Sequence, residues 1–185
     1  SHLELQRYFG IDTPLSPETA EEIWNKTKEK ISRGGFSPRE LIIKSNVFAL
    51  CTTDDPADSL EYHKKLIEEN LPFRVLPAFR PDKVINIETH DFPEYLTLLS
   101  EAAGIEIKTF SDLKAALCLR MDFFKSLGAA ASDQSVSFVP YAPAHDGEVE
   151  KIFKKAKDGA PLSKEELEKE FDSAFELVSL GGEEL

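Results

Sequence analysis

Two apolar segments of strand length, separated by an amphipathic segment, place the strongest constraint on the fold. They cover residues 46–52 and 73–79. Continuous apolar runs of this length are typical of strands buried on both faces, as in a parallel sheet. The segment 57–70 between them has helical spacing, so the three together predict two parallel strands joined by a right-handed helical crossover. The residues predicted to face inward from this helix are Leu60, His63, Leu66 and Ile67.

Polar residues follow each predicted strand. Asp54 and Asp55 come after the first, and Arg80 and Asp82 come after the second. Because ligands of parallel α/β folds bind at the carboxyl ends of the strands, these side chains are the first candidates for a site. An Arg there can bind a carboxylate through two parallel hydrogen bonds, and an Asp can orient a hydroxyl or move a proton. Two structural alternatives stay open: either Asp could cap the next helix, and Arg80 with Asp82 could form a surface turn.

The remaining sequence is mainly helical. Ser16-Pro17-Glu18 predicts a helix start, and capping-box spacing recurs at Ser37 and Ser163. Local propensity alone predicts a loop at 129–133 and a strand at 136–139. The chain therefore divides into a helical segment 1–45, a βα segment 46–140 and a helical segment 141–185. The apolar faces of three helices are predicted to be Ala20, Ile23, Trp24, Thr27 and Ile31; Leu113, Leu117, Met121, Phe124 and Leu127; and Leu167, Phe171, Ala174, Phe175 and Val178.

Charge and cysteine content exclude several classes of protein. With 22 basic and 34 acidic residues, the formal net charge is −12, which opposes binding to nucleic-acid phosphates. Cys51 and Cys118 lie in apolar runs without metal or disulfide spacing, as expected of reduced cysteines. No signal-peptide core and no apolar stretch of transmembrane length occurs, so a cytoplasmic location without membrane association is expected. The four histidines form no paired ligand motif, and no metal site is expected from this chain alone.

A set of short strings gives the chain its resemblance to a known family. Cys51-Thr52-Thr53-Asp54-Asp55-Pro56 running into Asp58-Ser59-Leu60-Glu61-Tyr62-His63 is the most specific of them. The others are His2-Leu3-Glu4-Leu5, Tyr8-Phe9-Gly10-Ile11, Phe79-Arg80-Pro81-Asp82-Lys83 and Ala131-Ser132-Asp133. In order and spacing, these strings resemble the uronate (glucuronate) isomerases over most of the chain.

That resemblance implies an amidohydrolase-type (β/α)₈ barrel with an additional helical region. Residues 46–140 would form a part of the barrel. It implies aldose–ketose isomerisation of D-glucuronate to D-fructuronate and of D-galacturonate to D-tagaturonate, with a divalent metal such as zinc in the full-length enzyme. The implied active-site residues are Arg80 and Asp133, which we expect to be catalytic. From their position after the strands, Arg80, Asp54 and Asp55 are expected to bind the sugar acid. Residues 129–132 then become a short barrel strand that ends at Asp133, which replaces the loop expected from propensity.

The sequence also departs from the family pattern. The His-x-His metal motif and other site residues of the family have no counterpart here, and Gln134 stands where His commonly follows the Asp. We therefore expect an internal fragment that is inactive alone and has the remainder of the barrel and the hexuronate substrate as partners. Two other functions remain open: a non-catalytic module that binds sugar acids, and a metal-dependent hydrolase of the same barrel type.

Overall fold

The computed structural model describes residues 2–135 and 141–183 as helices joined to a small parallel sheet. No helix among these residues has both the length and the apolar character needed to cross a membrane. The strands are β1 (Ala49–Cys51) and β2 (Arg74–Leu76). The helices are α1 (His2–Phe9), α2 (Ala20–Ser32), α3 (Pro38–Lys44), α4 (Glu61–Glu68), α5 (Asp82–Ile85), α6 (Phe92–Ala103), α7 (Phe110–Ser126), α8 (Asp146–Lys157) and α9 (Lys164–Glu183).

The predicted pair of adjacent parallel strands is confirmed. β1 pairs with β2, and a parallel bridge between Asp54 and Phe79 continues the pairing beyond them. The strands are shorter than the predicted segments 46–52 and 73–79. At the first boundary the reason is local: Asn46 has a positive φ of 53°, and Val47 donates its N–H to the Ile42 carbonyl. These two residues close the end of α3 instead of entering the sheet.

A third segment pairs with the far side of β2's extension. Phe79 forms a parallel bridge with Ser132, in which the Phe79 N–H donates to the Ala131 carbonyl at 3.1 Å. The Asp133 N–H in turn donates to the Phe79 carbonyl at 3.1 Å. The parallel direction expected for residues 129–132 is thus confirmed at Ser132, although no longer strand forms. The strand expected from propensity at 136–139 lies outside the described residues.

Helix α4 crosses between the two strands but is shorter than the predicted 57–70. It starts at Glu61, after Leu60 has taken a left-handed conformation with a φ of 51°. The Asp58 carboxylate accepts the Leu60 N–H at 2.6 Å and so stabilises this turn. Leu60 and His63 are buried as expected, whereas Ile67 is 53% exposed, so the predicted inward position of Ile67 is wrong. Only the first part of the helix packs inward.

Contacts divide the chain into two compact units. The first comprises residues 1–50 and 72–74, and the second comprises residues 51–71 and 75–185. These two units do not test the division expected from sequence, so the segments 1–45, 46–140 and 141–185 remain a prediction.

In the first unit, the capping box at Ser37 is confirmed, with Glu40 as its second member. Helix α2 begins at Ala20 and not directly after Ser16, because Pro14 to Thr19 form a separate hydrogen-bonded turn through the Thr19 hydroxyl. The apolar face predicted for α2 is only partly right. Ile23 is buried, but Trp24 is 68% exposed and Ile31 is 53% exposed.

The second unit contains a continuous apolar core beneath the strand ends. The apolar stripe predicted on α7 is confirmed, since Leu113, Leu117, Met121 and Phe124 are buried and Leu127 is partly so. The Phe124 ring packs edge-on against Phe79 at a centroid distance of 5.1 Å. Aromatic edge-to-face contacts of this kind favour one fixed packing arrangement. The segment that follows β2 is therefore packed directly against α7.

A candidate site at the carboxyl ends of the parallel strands

The backbone brings the sequence-predicted residues to one edge of the sheet. The Asp54 N–H donates to the Ala78 carbonyl at 3.0 Å, and the Arg80 N–H donates back to the Asp54 carbonyl at 2.9 Å. Asp133 is joined to Phe79 on the other side of the same segment. Because all three segments run in the same direction, Asp54, Arg80 and Asp133 follow their strands at the same end.

Arg80 and Asp133 form an ion pair there. A terminal guanidinium nitrogen of Arg80 donates to Asp133 Oδ2, and the side chains are 34% and 42% exposed. This hydrogen bond to Asp133 is the main reason that the pKa of Arg80 is raised above its ordinary value. Asp82, the other residue of the surface turn considered for Arg80, accepts the Ser135 N–H through Oδ1 at 3.0 Å.

Polar atoms without partners surround this ion pair. Arg80 Nε, Asp133 Oδ1 and Gln134 Oε1 are shielded from solvent and have no hydrogen-bond partner among the described residues. In the described part of the chain, the other buried side-chain atoms of this kind both belong to Glu170. An unpaired buried polar atom costs about 1–3 kcal/mol, so three such atoms on neighbouring side chains indicate a place for another polar group.

Asp55, the second carboxylate after β1, is fully engaged with its surroundings. Its Oδ1 accepts from the Tyr95 hydroxyl at 3.0 Å and from the Ala57 N–H at 2.9 Å. Its Oδ2 lies 3.2 Å from the Lys83 ammonium. Burial and the neighbouring Asp55 charge raise the pKa of Tyr95 well above its ordinary value, so this phenol stays a hydrogen-bond donor. Asp55 thereby fixes the turn that precedes α4.

Asp54 has different neighbours. Its Oδ2 accepts from the Thr52 hydroxyl at 2.6 Å, and the same hydroxyl oxygen lies 2.7 Å from His63 Nε2. The His63 nitrogen is 3.8 Å from Asp54 Oδ2, and the side chains of His63 and Asp54 are 8% and 13% exposed. The cluster is therefore largely withdrawn from solvent while Asp54 keeps its place at the sheet edge.

Several residues of this region were missed by reasoning from sequence. Arg120 is buried on α7 and donates to three carbonyls, those of Pro56 at 2.6 Å, Asp58 at 2.7 Å and Ala102 at 3.0 Å. Nothing in its sequence neighbourhood marks it, apart from being a cation near an apolar stripe. His63 was placed inward by helical spacing, but its contact with Thr52 needed the three-dimensional arrangement.

The fit of a metal ion can be tested on the side chains themselves. Within residues 2–135 and 141–183, no group of three or more His, Cys, Asp or Glu side chains is arranged to hold one. Asp54 and His63 are neighbours, but His63 Nε2 is directed at the Thr52 hydroxyl. A site needs at least three protein ligands, so the residues described do not fit a catalytic zinc centre.

The sequence matches one protein family over nearly its whole length. The profile of the family described as glucuronate isomerase matches residues 1–182. A curated uronate isomerase of Lachnospira eligens is 47% identical over 184 residues, which are 99% of this chain and 39% of that protein. The uronate isomerase of Caldanaerobacter subterraneus subsp. tengcongensis is 48% identical over 169 residues, covering 91% of this chain and 36% of the relative.

Solved structures give the same result for the fold. The crystal structure of uronate isomerase from Thermotoga maritima superimposes with a TM-score of 0.89 at 31% identity, covering 99% of this chain and 40% of that one. Glucuronate isomerase from Caulobacter crescentus gives a TM-score of 0.83 at 25% identity over 96% of this chain and 37% of its own. The chain spans 39% of the length of the Lachnospira eligens relative and 36% of the Caldanaerobacter relative, so it corresponds to a part of those proteins.

Proposed function

The chain belongs to the glucuronate isomerase family, and we propose that it supplies one side of the hexuronate-binding site of an aldose–ketose isomerase. The proposed reactions are the interconversions of D-glucuronate with D-fructuronate and of D-galacturonate with D-tagaturonate. Arg80 and Asp133 are the proposed catalytic residues. The carboxylate after β1, Asp54 or Asp55, is proposed to bind hydroxyl groups of the sugar.

The observation that carries this proposal is the Arg80–Asp133 ion pair with its unpaired buried atoms. A hexuronate has a carboxylate at one end and hydroxyls along its length. The Arg80 guanidinium can donate to the carboxylate, and Asp133 can accept from a hydroxyl. Such a ligand would give partners to the polar groups that the described residues leave unpaired.

The chemistry requires a proton to leave C2 of the aldose and a proton to reach C1, through an enediol. In this proposal Asp133 orients a hydroxyl or takes part in this proton movement, while Arg80 holds the anionic end of the substrate. Asp133 also keeps the guanidinium in position, since the two side chains are hydrogen bonded.

The complete barrel and its metal belong to the same proposal. The described residues contribute parallel strands and helices, and we propose that the remainder of an amidohydrolase-type (β/α)₈ barrel is supplied by the regions that the longer relatives have in addition. Any divalent metal of the full-length enzyme, with zinc as the first candidate, would then bind ligands in those regions. A cytoplasmic location is proposed with the isomerase function.

The test is turnover of D-glucuronate and D-galacturonate by a full-length protein that contains this chain. Arg80→Lys keeps the positive charge but loses the planar fork of donors, so kcat/KM should fall roughly thirty- to a thousandfold, as expected when a charge-assisted contact worth about 2–4 kcal/mol is lost. Asp133→Asn should reduce kcat by a similar factor. The matched control is Arg33→Lys, because Arg33 is paired with Glu29 on an exposed helix surface and its side chain is 73% exposed.

Activity of Arg80→Lys and Asp133→Asn within threefold of the wild type would contradict the assigned roles. Binding of hexuronates without any turnover by the full-length protein would instead favour the non-catalytic module that binds sugar acids.

A further inference from the structure

The two carboxylates that follow β1 differ in how much of their hydrogen-bonding capacity is already used. Both oxygens of Asp55 have partners, namely the Tyr95 hydroxyl, the Ala57 N–H and the Lys83 ammonium. Asp54 is bonded through Oδ2 alone, and among the described residues no hydrogen bond to its Oδ1 is formed. The carboxylate that can still accept from a ligand is therefore Asp54.

The bonds to Asp54 Oδ2 fix the direction of hydrogen bonding in the cluster. A threonine hydroxyl has one proton, and two acceptors lie within its reach: Asp54 Oδ2 at 2.6 Å and the Leu76 carbonyl at 3.3 Å. The shorter distance to a charged acceptor indicates that the proton is donated to Asp54. The Thr52 oxygen must then accept from His63 Nε2 at 2.7 Å, which assigns the ring proton to that nitrogen. The result is a chain of donors that runs from His63 through Thr52 to Asp54.

This chain of donors starts from rigid parts of the fold. His63 is buried on α4, with 6% of its surface exposed, and Thr52 is held to the second strand because its N–H donates to the Leu76 carbonyl at 3.0 Å. The backbone N–H and carbonyl of Asp54 are both hydrogen bonded to the segment that carries Arg80. These bonds hold the Asp54 backbone at the end of the sheet where Arg80 also lies, and the bond from Thr52 holds its carboxylate.

We propose that Asp54, and not Asp55, is the carboxylate of β1 that contacts a sugar hydroxyl, and that Thr52 and His63 are its positioning residues. The proposal rests on the proposed hexuronate site and adds which groups of the β1 end recognise the substrate. Donation from Thr52 opposes rotation of the Asp54 carboxylate away from the substrate. His63 acts one bond further away by fixing the Thr52 hydroxyl.

Matched substitutions in the full-length protein separate hydrogen bonding from shape. Thr52→Val keeps the volume of the side chain but removes the hydroxyl, whereas Thr52→Ser keeps the hydroxyl. His63→Leu removes the donor, whereas His63→Gln can place an amide N–H near the position of Nε2. We expect Thr52→Val and His63→Leu to lower kcat for D-glucuronate roughly ten- to a hundredfold, and Thr52→Ser and His63→Gln to recover activity to within about threefold of the wild type.

A double substitution tests whether Thr52 acts through Asp54. Asp54→Asn should lower kcat by a factor of roughly one hundred or more. If Thr52 works only by orienting Asp54, then Thr52→Val should cost nothing further in the Asp54→Asn background. Tyr95→Phe, which removes a donor from Asp55, is the control and should leave turnover within twofold of the wild type.

The dissociation constant of D-glucuronate, measured by calorimetry on the same variants, distinguishes the two ways of failing. Suppose that the wild type turns over hexuronates. The inference is then wrong, and the proposed function stands, if Thr52→Val and Thr52→Ser have the same kcat. The same conclusion follows if Tyr95→Phe lowers kcat while Asp54→Asn does not. If the wild type binds without turnover, the same ranking is expected in the dissociation constants. A wild type that neither binds nor converts hexuronates overturns both.

Discussion

Glu170 lies in the core of the second unit, on α9. The residue is fully buried on α9, and neither carboxylate oxygen has a hydrogen-bond partner among the described residues. Burial, together with the charge of Glu88, raises the pKa of Glu170 well above its ordinary value of 4.5. A carboxyl group with a raised pKa gains a proton on folding. Its contribution to stability is therefore fully present below about pH 4.5 and is lost as the pH rises toward the pKa of the folded state.

Glu170→Gln should remove this loss, because the amide is neutral at every pH and has nearly the same shape. We expect the free energy of unfolding at pH 7 to increase by about 1–3 kcal/mol, with the gain disappearing below about pH 4.5. Urea denaturation of wild type and variant between pH 4 and pH 8 measures the difference. A variant that is less stable than the wild type at pH 7 would show that Glu170 has a favourable partner.

Glu166 on the same helix provides a control of opposite sign. The hydrogen bond from Lys155, at 2.7 Å, is the main cause that lowers the pKa of Glu166 to about 2. Its contribution to stability is present above the ordinary pKa of 4.5 and is lost as the pH falls toward 2. Glu166→Gln should therefore lower stability at neutral pH, and the difference should vanish in acid.

A site residue could be predicted from sequence where a single strand determines its position, but not where several segments together determine it. Arg80 and Asp54 could be placed at a sheet edge from the apolar segments before them, because a parallel strand directs the next residues to a known end. Asp133 could not, since propensity predicts a loop at 129–133 and only the family resemblance corrected it. The hydrogen bond between Thr52 and His63 was not predicted either. It joins the residue after β1 to helix α4, and sequence spacing does not determine how the helix is oriented toward the strand.

Among the secondary-structure elements, helix termini were predicted better than strand lengths. The capping boxes at Ser37 and Ser163 form as expected, since the N-cap and the residue three positions later are adjacent in sequence. The first strand was overestimated because Asn46 and Val47, although part of the apolar segment, close the end of α3. Phe48 belongs to the apolar run and is nevertheless 78% exposed.

Helix α7 holds the connection between β1 and α4 through Arg120. The guanidinium group binds the carbonyls of Pro56 and Asp58 in that connection and the carbonyl of Ala102 at the end of α6. Burial lowers the pKa of Arg120, but the bonds to carbonyls compensate for part of the loss of solvent. This connection follows Asp54 and Asp55 directly, so Arg120 stabilises the backbone next to the candidate site.

Arg120→Leu should leave these three carbonyls without their donor. We expect the free energy of unfolding to fall by about 2–4 kcal/mol, and Arg120→Lys should recover only part of it, because an ammonium group lacks the planar fork. Equilibrium urea denaturation measures both. Arg33→Leu is the matched control, since its exposed pairing with Glu29 should be worth less than about 1 kcal/mol. Equal losses at the two positions would contradict the role given to Arg120.

At the scale of the whole molecule, the described residues carry the proposed site residues at one end of a small sheet and do not form a closed barrel. They contribute the paired strands β1 and β2 and one further parallel bridge at Ser132. The far sides of β1 and of the segment at Ser132 take part in no further pairing among these residues, and exposed strand edges are prone to pair with other chains. The two relatives, of which this chain covers 39% and 36%, have additional sequence that can supply further strands beside these edges.

We therefore expect the 185-residue chain on its own to show no turnover of D-glucuronate and no stoichiometric zinc. In the proposed site Arg80 and Asp133 hold one end of a hexuronate. Proton transfer between C2 and C1 also needs groups on the other side of the sugar, which we propose lie in the rest of the barrel. The described residues also lack a group of three metal ligands. Elemental analysis after dialysis measures the zinc content, and a coupled assay measures isomerisation, with a full-length protein that contains this chain treated in parallel. One zinc per isolated chain, or turnover by that chain at the rate of the full-length protein, would show that the site is complete within these 185 residues.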